Sequence, residues 1–267
     1  MKNKSIYLII GIIGIIIAVT LAIISPENGY IPIIIVVIVL IAFIVGYLYK
    51  RYLSFKNDVV KKSLEAHKET IKYEYKLNEK KQYIELIRKY KLITSATSFS
   101  FTDCIYEKDE NLEYKSFDLK ATHTQSTGKS TTTITDFYGK FYDVKIKPDY
   151  CNYVLKEEYW TVNIKGYEFL ELEVIDFNNK LNLYVTDKFE AQKVFTPSVI
   201  NQYLSLITSD NYKTYIASID DHLYIFLYNN ESQFENMSSS SEEIIKEYNN
   251  QLDILNKYLK ALNKDFQ

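Results

Sequence analysis

Residues 212–228 read YKTYIASIDDHLYIFLY, and this stretch decides the fold class. Tyr212–Ile219 and Leu223–Tyr228 are short runs rich in β-branched and aromatic residues, and Asp220-Asp221 between them is a turn signal. Every position of the second run is apolar or aromatic. The stretch therefore predicts a β-hairpin whose second strand is covered on both faces of a sheet.

Helical signals flank this hairpin on both sides. Asp187 with Glu190 has the spacing of a capping box, and Thr196-Pro197 predicts the start of a mid-domain helix over Pro197–Thr208. Downstream, Ser240-x-x-Glu243 opens a C-terminal helix. Its apolar seam consists of Ile245, Tyr248, Leu252, Leu255, Leu259 and Leu262. A short helix usually packs on its own domain, so docking is favoured over a coiled coil between copies.

The segment before these helices alternates as β-strands do. Strands are predicted near Phe99–Ile105 and Phe117–Leu119, and then at Ile134–Lys147, Cys151–Leu155, Trp160–Ile164, Phe169–Phe177 and Leu181–Val185. Asp103 is the exception on the face that Phe101 and Ile105 are expected to share. The apolar parity of the third strand slips at Gly139, which predicts a β-bulge. The fold class is therefore α+β, with a mostly antiparallel sheet, a mid-domain helix and a C-terminal helix.

Two apolar runs, Ile6–Ile24 and Ile31–Tyr49, lie near the N-terminus with Ser25–Tyr30 between them. Neither run contains a charge, and each is long enough, at about 1.5 Å per residue, to cross a hydrocarbon core of roughly 30 Å. A cleaved signal peptide is disfavoured because no small-x-small site lies at the right distance and a second run follows at once. A buried globular core is disfavoured because globular helices seldom stay apolar on every face. The runs predict a transmembrane helical hairpin.

Charges beside the runs predict the orientation of this hairpin. Lys2 and Lys4 precede the first run, Lys50 and Arg51 follow the second, and the connecting loop has neither Lys nor Arg. Because positive flanks stay on the cytoplasmic side, both termini are expected in the cytoplasm of a bacterium, with the protein multi-pass in its inner (cell) membrane. The runs contain no ionisable group, so they are interpreted as an anchor rather than a transport path.

The predicted organisation has three parts. Residues 1–49 form the two-helix transmembrane anchor, residues 50–92 form one amphipathic cytoplasmic helix, and residues 93–267 form a cytoplasmic α+β domain. The middle part is assigned to helix because it has almost no breakers, many Lys and Glu residues, and apolar positions that recur at helical spacing.

Composition excludes some classes of function. The chain has 267 residues and a net charge of −2, so no basic field indicates nucleic acid as a partner. Cys104 and Cys151 lie on the predicted cytoplasmic side, where free thiols are expected. Two isolated cysteines are a poor metal signature, and neither a metal site nor a cofactor is predicted.

Individual motifs do not define a catalytic site, and the catalytic residues stay unknown. Gly128-Lys129-Ser130 lacks the glycine that a phosphate-binding loop needs five residues earlier, where His123 stands, so an exposed hairpin loop is predicted. Asp220 and Asp221 suit a turn, and no nucleophile is linked to the neighbouring His222.

A further stretch carries a family resemblance. Val174–Asp187 reads VIDFNNKLNLYVTD and Phe189–Pro197 reads FEAQKVFTP. This resembles the bacterial domain of unknown function 3137 family, which has a pattern like FN..F.V...D..EA...LTP followed by a helix and a strand. The matching residues are Phe177, Asn178, Leu181, Val185, Asp187, Glu190, Ala191, Thr196 and Pro197, with Phe137, Gly139 and Phe141 near an upstream F.G.F segment.

The resemblance extends over about Lys50–Leu262, and two N-terminal spans are common in proteins of this kind. Phe195 stands where the family has Leu, and the Thr/Ser loop Thr122–Thr133 has no counterpart. The resemblance implies a fold and a topology, and it implies no activity.

The leading hypothesis is a binding or scaffold module on the cytoplasmic face of the membrane, with the lipid bilayer and a protein or a second copy as partners. One alternative is an envelope-associated enzyme with a site assembled from residues such as Asp103, His123, Asp136 and Cys151. Another is a structural membrane-assembly protein that associates through the small residues Gly14, Ala18 and Ala22 and the C-terminal seam.

Overall fold

The structure is a computed structural model that describes residues 30–108, 113–128, 130–157, 163–209, 212–230, 234 and 240–262. The helices are α1 (Tyr30–His67), α2 (Lys81–Lys89), α3 (Ile175–Lys180), α4 (Lys188–Val194), α5 (Pro197–Ser209) and α6 (Ser241–Ala261). The strands are β1 (Ile71–Lys76), β2 (Ser98–Lys108), β3 (Glu113–Ser126), β4 (Thr131–Lys145), β5 (Tyr153–Lys156), β6 (Glu168–Leu170), β7 (Asn182–Val185), β8 (Lys213–Ile219) and β9 (His222–Tyr228). The chain divides into two compact units, residues 1–58 and 59–267.

The second predicted membrane span, Ile31–Tyr49, lies within α1, and the first, Ile6–Ile24, lies outside the described residues. Over the part of the chain that the structure describes, no helix meets the length and apolarity that crossing a membrane requires. The transmembrane hairpin therefore stays a prediction.

The single helix predicted over residues 50–92 is wrong in its middle. Helix α1 ends at His67, β1 occupies Ile71–Lys76, and α2 begins only at Lys81. Ile71 and Tyr73 are buried while Lys72 and Glu74 are exposed, which is the two-residue period of a strand. Pairing of β1 with β2 overrides the helix propensity of the lysines and glutamates.

Among the described residues, the nine strands form one sheet in the order β1-β2-β3-β4-β9-β8-β5-β7-β6, and every neighbouring pair is antiparallel. The predicted α+β class with a large antiparallel sheet and a C-terminal helix is confirmed. The hairpin that turns at Asp220-Asp221 is confirmed as β8–β9, and Asp220 adopts a positive φ of 55° in the turn.

Of the two strands predicted near β6, one is partly replaced by a helix and the other lies mostly outside the described residues. The strand at Phe169–Phe177 is wrong in its second half, where α3 forms instead. Asn178 explains the change, because its side chain accepts from the Leu172 N–H at 3.0 Å and donates to the Leu172 carbonyl at 2.6 Å, replacing a partner strand. Most of the strand predicted at Trp160–Ile164 lies outside the described residues.

The sheet is covered on both faces, as the hairpin sequence predicts. On one face Leu223, Ile225 and Leu227 pack with α5 and α6, and on the other Phe226 packs with α2. Leu255 and Leu259 of α6 are buried, and so is Leu262 directly after the helix. The prediction that the C-terminal seam docks on its own domain is therefore confirmed.

The β-bulge of β4 is not at Gly139, where the sequence analysis predicted it. The bulge of β4 lies at Asp136, because Ala121 pairs with Phe137 while Thr122 pairs with Thr135. The parity does not slip at Gly139: Phe137 and Phe141 belong to one face and Tyr142 to the other.

In β2 the register shifts between Thr102 and Ile105, and Asp103 has a positive φ of 50°. As a result Cys104 joins the face of Phe101, and Ile105 lies in a cluster with Tyr73 on the opposite face.

The predicted helix starts are confirmed. The Asp187 carboxylate accepts from the N–H groups of Phe189 and Glu190, and the Ser240 hydroxyl accepts from the Glu243 N–H at 3.2 Å. Each side chain satisfies an N–H that the helix itself leaves without a partner.

Candidate functional site

The sequence analysis named Asp103, His123, Asp136 and Cys151 as a possible catalytic site. Of these four, His123 and Asp136 are in contact. The His123 Nδ1 atom lies 2.8 and 2.9 Å from the two carboxylate oxygens of Asp136. Asp103 and Cys151 lie elsewhere. Asp103 accepts from the Tyr73 hydroxyl at 2.5 Å, and Cys151 belongs to the cluster on the face of α5 and α6.

The β4 bulge gives Asp136 its position. As the extra residue of the bulge, Asp136 also accepts a hydrogen bond from the Ser95 hydroxyl at 2.5 Å, from the segment between α2 and β2. The serine thus donates to the carboxylate and not to the imidazole. An activated serine needs the imidazole as its acceptor, so the arrangement fixes the His123 ring but does not prepare a nucleophile.

A second histidine is held in the same way. The His222 Nδ1 atom lies 2.6 Å from one Asp143 oxygen, and the Tyr83 hydroxyl donates to the other at 2.8 Å. The hydrogen bond with Asp143 raises the pKa of His222. The pKa of Tyr83 is raised mainly by burial, and to a smaller extent by the negative charge of Asp143. Tyr83 comes from α2, Asp143 from β4 and His222 from β9, so the network joins three elements.

The sequence analysis did not select Asp143, although a carboxylate on the apolar face of a strand is unusual enough to indicate a functional or structural role. Asp143 stands two residues after Phe141, on the face that Phe137 and Phe141 share, and a carboxylate at such a position needs a partner. Tyr83 and His222 are distant in sequence, so the partners could not be assigned without the register of β4 with β9.

A cavity of about 310 Å³ opens on the α2 face of β1, β2 and β3. The buried residues of its lining are Cys104, Ile105, Ser116 and Phe117. Lys72, Tyr106 and Lys115 lie on neighbouring strands, and Leu77, Asn78 and Glu79 close the side toward α2. The sequence did not indicate this cavity because β1 was predicted as helix. Burial raises the pKa of the Cys104 thiol to about 12 and that of Cys151 to about 11, so both are neutral near pH 7.

Other sequence candidates have structural roles. Both cysteines are free, as predicted. The Gly128–Ser130 segment is a hairpin loop, as predicted, with the Thr127 N–H donating to the Ser130 carbonyl at 3.0 Å; Lys129 lies outside the described residues. Among the described residues, no group of three His, Cys, Asp or Glu side chains could hold a metal ion.

Residues 129–264 match the family described as Protein of unknown function (DUF3137). The chain belongs to this family. The match runs from the β3–β4 loop through α6, so the family region contains Asp136, Asp143 and His222. It does not contain His123, Tyr83 or the residues of the cavity.

No curated protein sequence matches the chain. Among solved structures, the chain is similar to the crystal structure of the mycobacterial trehalose monomycolate transport factor A, TtfA, with 8% identity and a TM-score of 0.43. The similarity covers 77% of this chain and 95% of that one. At this identity and TM-score it carries no argument about function.

Proposed function

We propose that the protein is a membrane-anchored binding or scaffold module. The observation that carries the proposal is the apolar surface of α1 in the first unit. Val39, Ile44, Val45 and Leu48 are each more than half exposed. A cluster of exposed aliphatic side chains on one helix is unfavourable in water and favourable in a bilayer.

The residues that follow support the same placement. Tyr49, Tyr52 and Phe55 are also more than half exposed, and Lys50 and Arg51 stand among them. Aromatic side chains with basic neighbours are typical of the boundary between lipid and water, and the basic flank favours the cytoplasmic side. The proposal therefore places this boundary near residues 49–55, with the second unit in the cytoplasm.

A topology reporter fused after Gln267 of the full chain tests the anchor. A reporter that works only in the cytoplasm is expected to be active in the wild type. Leu40→Arg with Ile44→Arg, at about 2.5–3.5 kcal/mol for each arginine at a helix centre, is expected to block the second span and move the reporter to the periplasm.

Ile175→Arg is the matched control, because Ile175 is 74% exposed in the second unit and its replacement is expected to leave the topology unchanged. Recovery of the wild-type chain in the soluble fraction would contradict the anchor, and so would a periplasmic reporter in the wild type.

Recruitment of a partner is tested by crosslinking in cells. Tyr150 and Phe189 are 68% and 70% exposed, and the Lys193 ammonium lies 5.2 and 5.5 Å from their ring centres. A photo-reactive residue at Tyr150 is expected to capture one stoichiometric protein partner, with capture lost in Phe189→Asp and retained in Lys81→Gln. Equal capture in all variants, or none in any, would contradict the scaffold role. Deleting α6 is not a suitable test, because its seam is part of the core.

One observation favours the enzyme alternative, namely the contact between His123 and Asp136. If these residues act in catalysis, His123→Gln and Asp136→Asn should each abolish the cellular function of the full chain while His67→Gln should not. Full function in both variants would exclude a role for this pair. The assembly alternative loses one of its two supports, since the α6 seam is occupied by the chain's own sheet.

A further inference from the structure

The cavity on β1–β3 has a cationic side that its own residues do not neutralise. Lys72 pairs with Tyr106 across β1 and β2, and Tyr106 pairs with Lys115 across β2 and β3, so a lysine stands on each side of the tyrosine. The Lys115 ammonium lies 5.9 Å from the centre of the Tyr106 ring. Within the described part of the chain neither lysine makes an ion pair.

The carboxylates around the cavity bind other partners or lie at its loop side. Glu113, close to the Tyr106 hydroxyl, is bound by the Lys108 ammonium at 2.9 Å. Glu74 accepts from the Asn78 side chain at 3.1 Å, at the side where the β1–α2 loop closes the cavity. Glu79 lies on this loop side too. The two lysines therefore make the Tyr106 side of the cavity positive, and Glu74 and Glu79 make the side at the β1–α2 loop negative.

The floor of the cavity is apolar. Phe117 and Cys104 are buried, the Cys104 thiol is neutral because its pKa is raised by burial, and Leu77 closes one wall. A neutral buried thiol behaves as a small hydrophobic group. The volume of about 310 Å³ lies at the small end of ligand sites, which suits a compact molecule with one charged end.

We propose that this cavity binds a small phosphate monoester with an apolar group, with the phosphate between Lys72 and Lys115 and the apolar group over Cys104, Phe117 and Leu77. Two ammonium groups match the near-dianionic charge of a phosphate monoester better than they match a single carboxylate. The site goes beyond the anchor and scaffold roles and does not depend on them.

The test is calorimetric titration of the full chain in phosphatidylcholine nanodiscs with hexyl phosphate, with empty nanodiscs as the blank. Hexyl phosphate is expected to bind, while inorganic phosphate and hexanol bind at least tenfold more weakly because each lacks one half of the ligand. Lys72→Gln with Lys115→Gln is expected to weaken binding of hexyl phosphate at least tenfold. Lys246→Gln with Lys257→Gln makes the same change of charge on exposed positions of α6 and is expected to bind as the wild type does.

Three results would overturn the proposal: no binding of hexyl phosphate, equal binding in the Lys72/Lys115 variant, or equal binding of inorganic phosphate. The control pair distinguishes loss of the site from a general effect of charge. Repeating the titration in nanodiscs that contain phosphatidic acid separates two sources of the same chemistry. Weaker binding there assigns the cavity to a lipid phosphate, and unchanged binding assigns it to a water-soluble monoester.

Discussion

Gly139→Ala is expected to destabilise the second unit strongly, although it adds one methyl group. A Cβ atom at Gly139 would lie 3.0 Å from the Leu227 carbonyl carbon and the Tyr228 Cα, and inside contact distance of the Leu227 carbonyl oxygen. These are backbone atoms of β9, so they cannot rotate away as a side chain could. Strands β4 and β9, which are adjacent in the middle of the sheet, must separate locally.

The magnitude follows from three contributions. Overpacking against fixed atoms costs about 2–3 kcal/mol, and weakening one or two ladder hydrogen bonds costs about 1–2 kcal/mol more. Alanine also reduces the backbone entropy of the unfolded chain relative to glycine, which offsets about 0.4–1 kcal/mol of this loss in stability. The net loss is about 3 kcal/mol, which for a unit of this size corresponds to a decrease in Tm of roughly 6–12 °C.

The assay is urea unfolding of the full chain, followed by near-ultraviolet circular dichroism of the buried tyrosines. Gly128→Ala is the matched control, because Gly128 has a φ of +80° and no atom within 4 Å of an added Cβ. It should lose only the left-handed backbone cost of about 1–2 kcal/mol. If Gly139→Ala loses no more than Gly128→Ala, the close approach of β9 to Gly139 does not constrain the fold.

Three further predictions concern helix capping, pH and thiol reactivity. Ser240→Ala should lower the free energy of unfolding by about 1 kcal/mol and Ser240→Asp should not, as urea unfolding will show. The raised pKa of His222 means that its stabilisation by Asp143 is complete below the unfolded pKa of about 6.5 and is lost as pH rises through the folded pKa. The stability advantage of wild type over His222→Gln should therefore shrink as pH rises from about 6 to 8, by a small amount because His222 is 39% exposed; a constant difference would contradict the contact. At pH 8, iodoacetamide should modify Cys104 and Cys151 more than about a hundredfold more slowly in the folded chain than in urea, and similar rates would show that the thiols are not buried.

The parts of the fold that sequence predicts are those with local causes. The β8–β9 hairpin, the caps at Asp187 and Ser240 and the seam of α6 each depend on residues a few positions apart. Strand β1 was missed because its lysines and glutamate suit an isolated helix, and only pairing with β2 makes it a strand.

The contacts within the candidate sites could not be predicted from the sequence in the same way. Of the four residues that the sequence grouped, only His123 and Asp136 are in contact, and this contact depends on a bulge at Asp136 that the apolar pattern predicted at Gly139. The contact of His222 with Asp143 depends on the register of β4 with β9. Register depends on the whole sheet, so partners this far apart in sequence could not be assigned.

The contacts of α6 have a consequence for synthesis. The buried Glu107 receives hydrogen bonds from Tyr248 of α6 and from Lys68, and the hydroxyls of Ser63 and Ser241 meet at 2.9 Å. The earliest elements of the second unit thus contact residues that the ribosome makes 141 and 178 positions later. A nascent chain cannot close its core until α6 has left the exit tunnel. Products truncated before Ser241 leave Glu107 and the apolar face of the sheet uncovered, so proteases and chaperones can distinguish them from chains that contain α6.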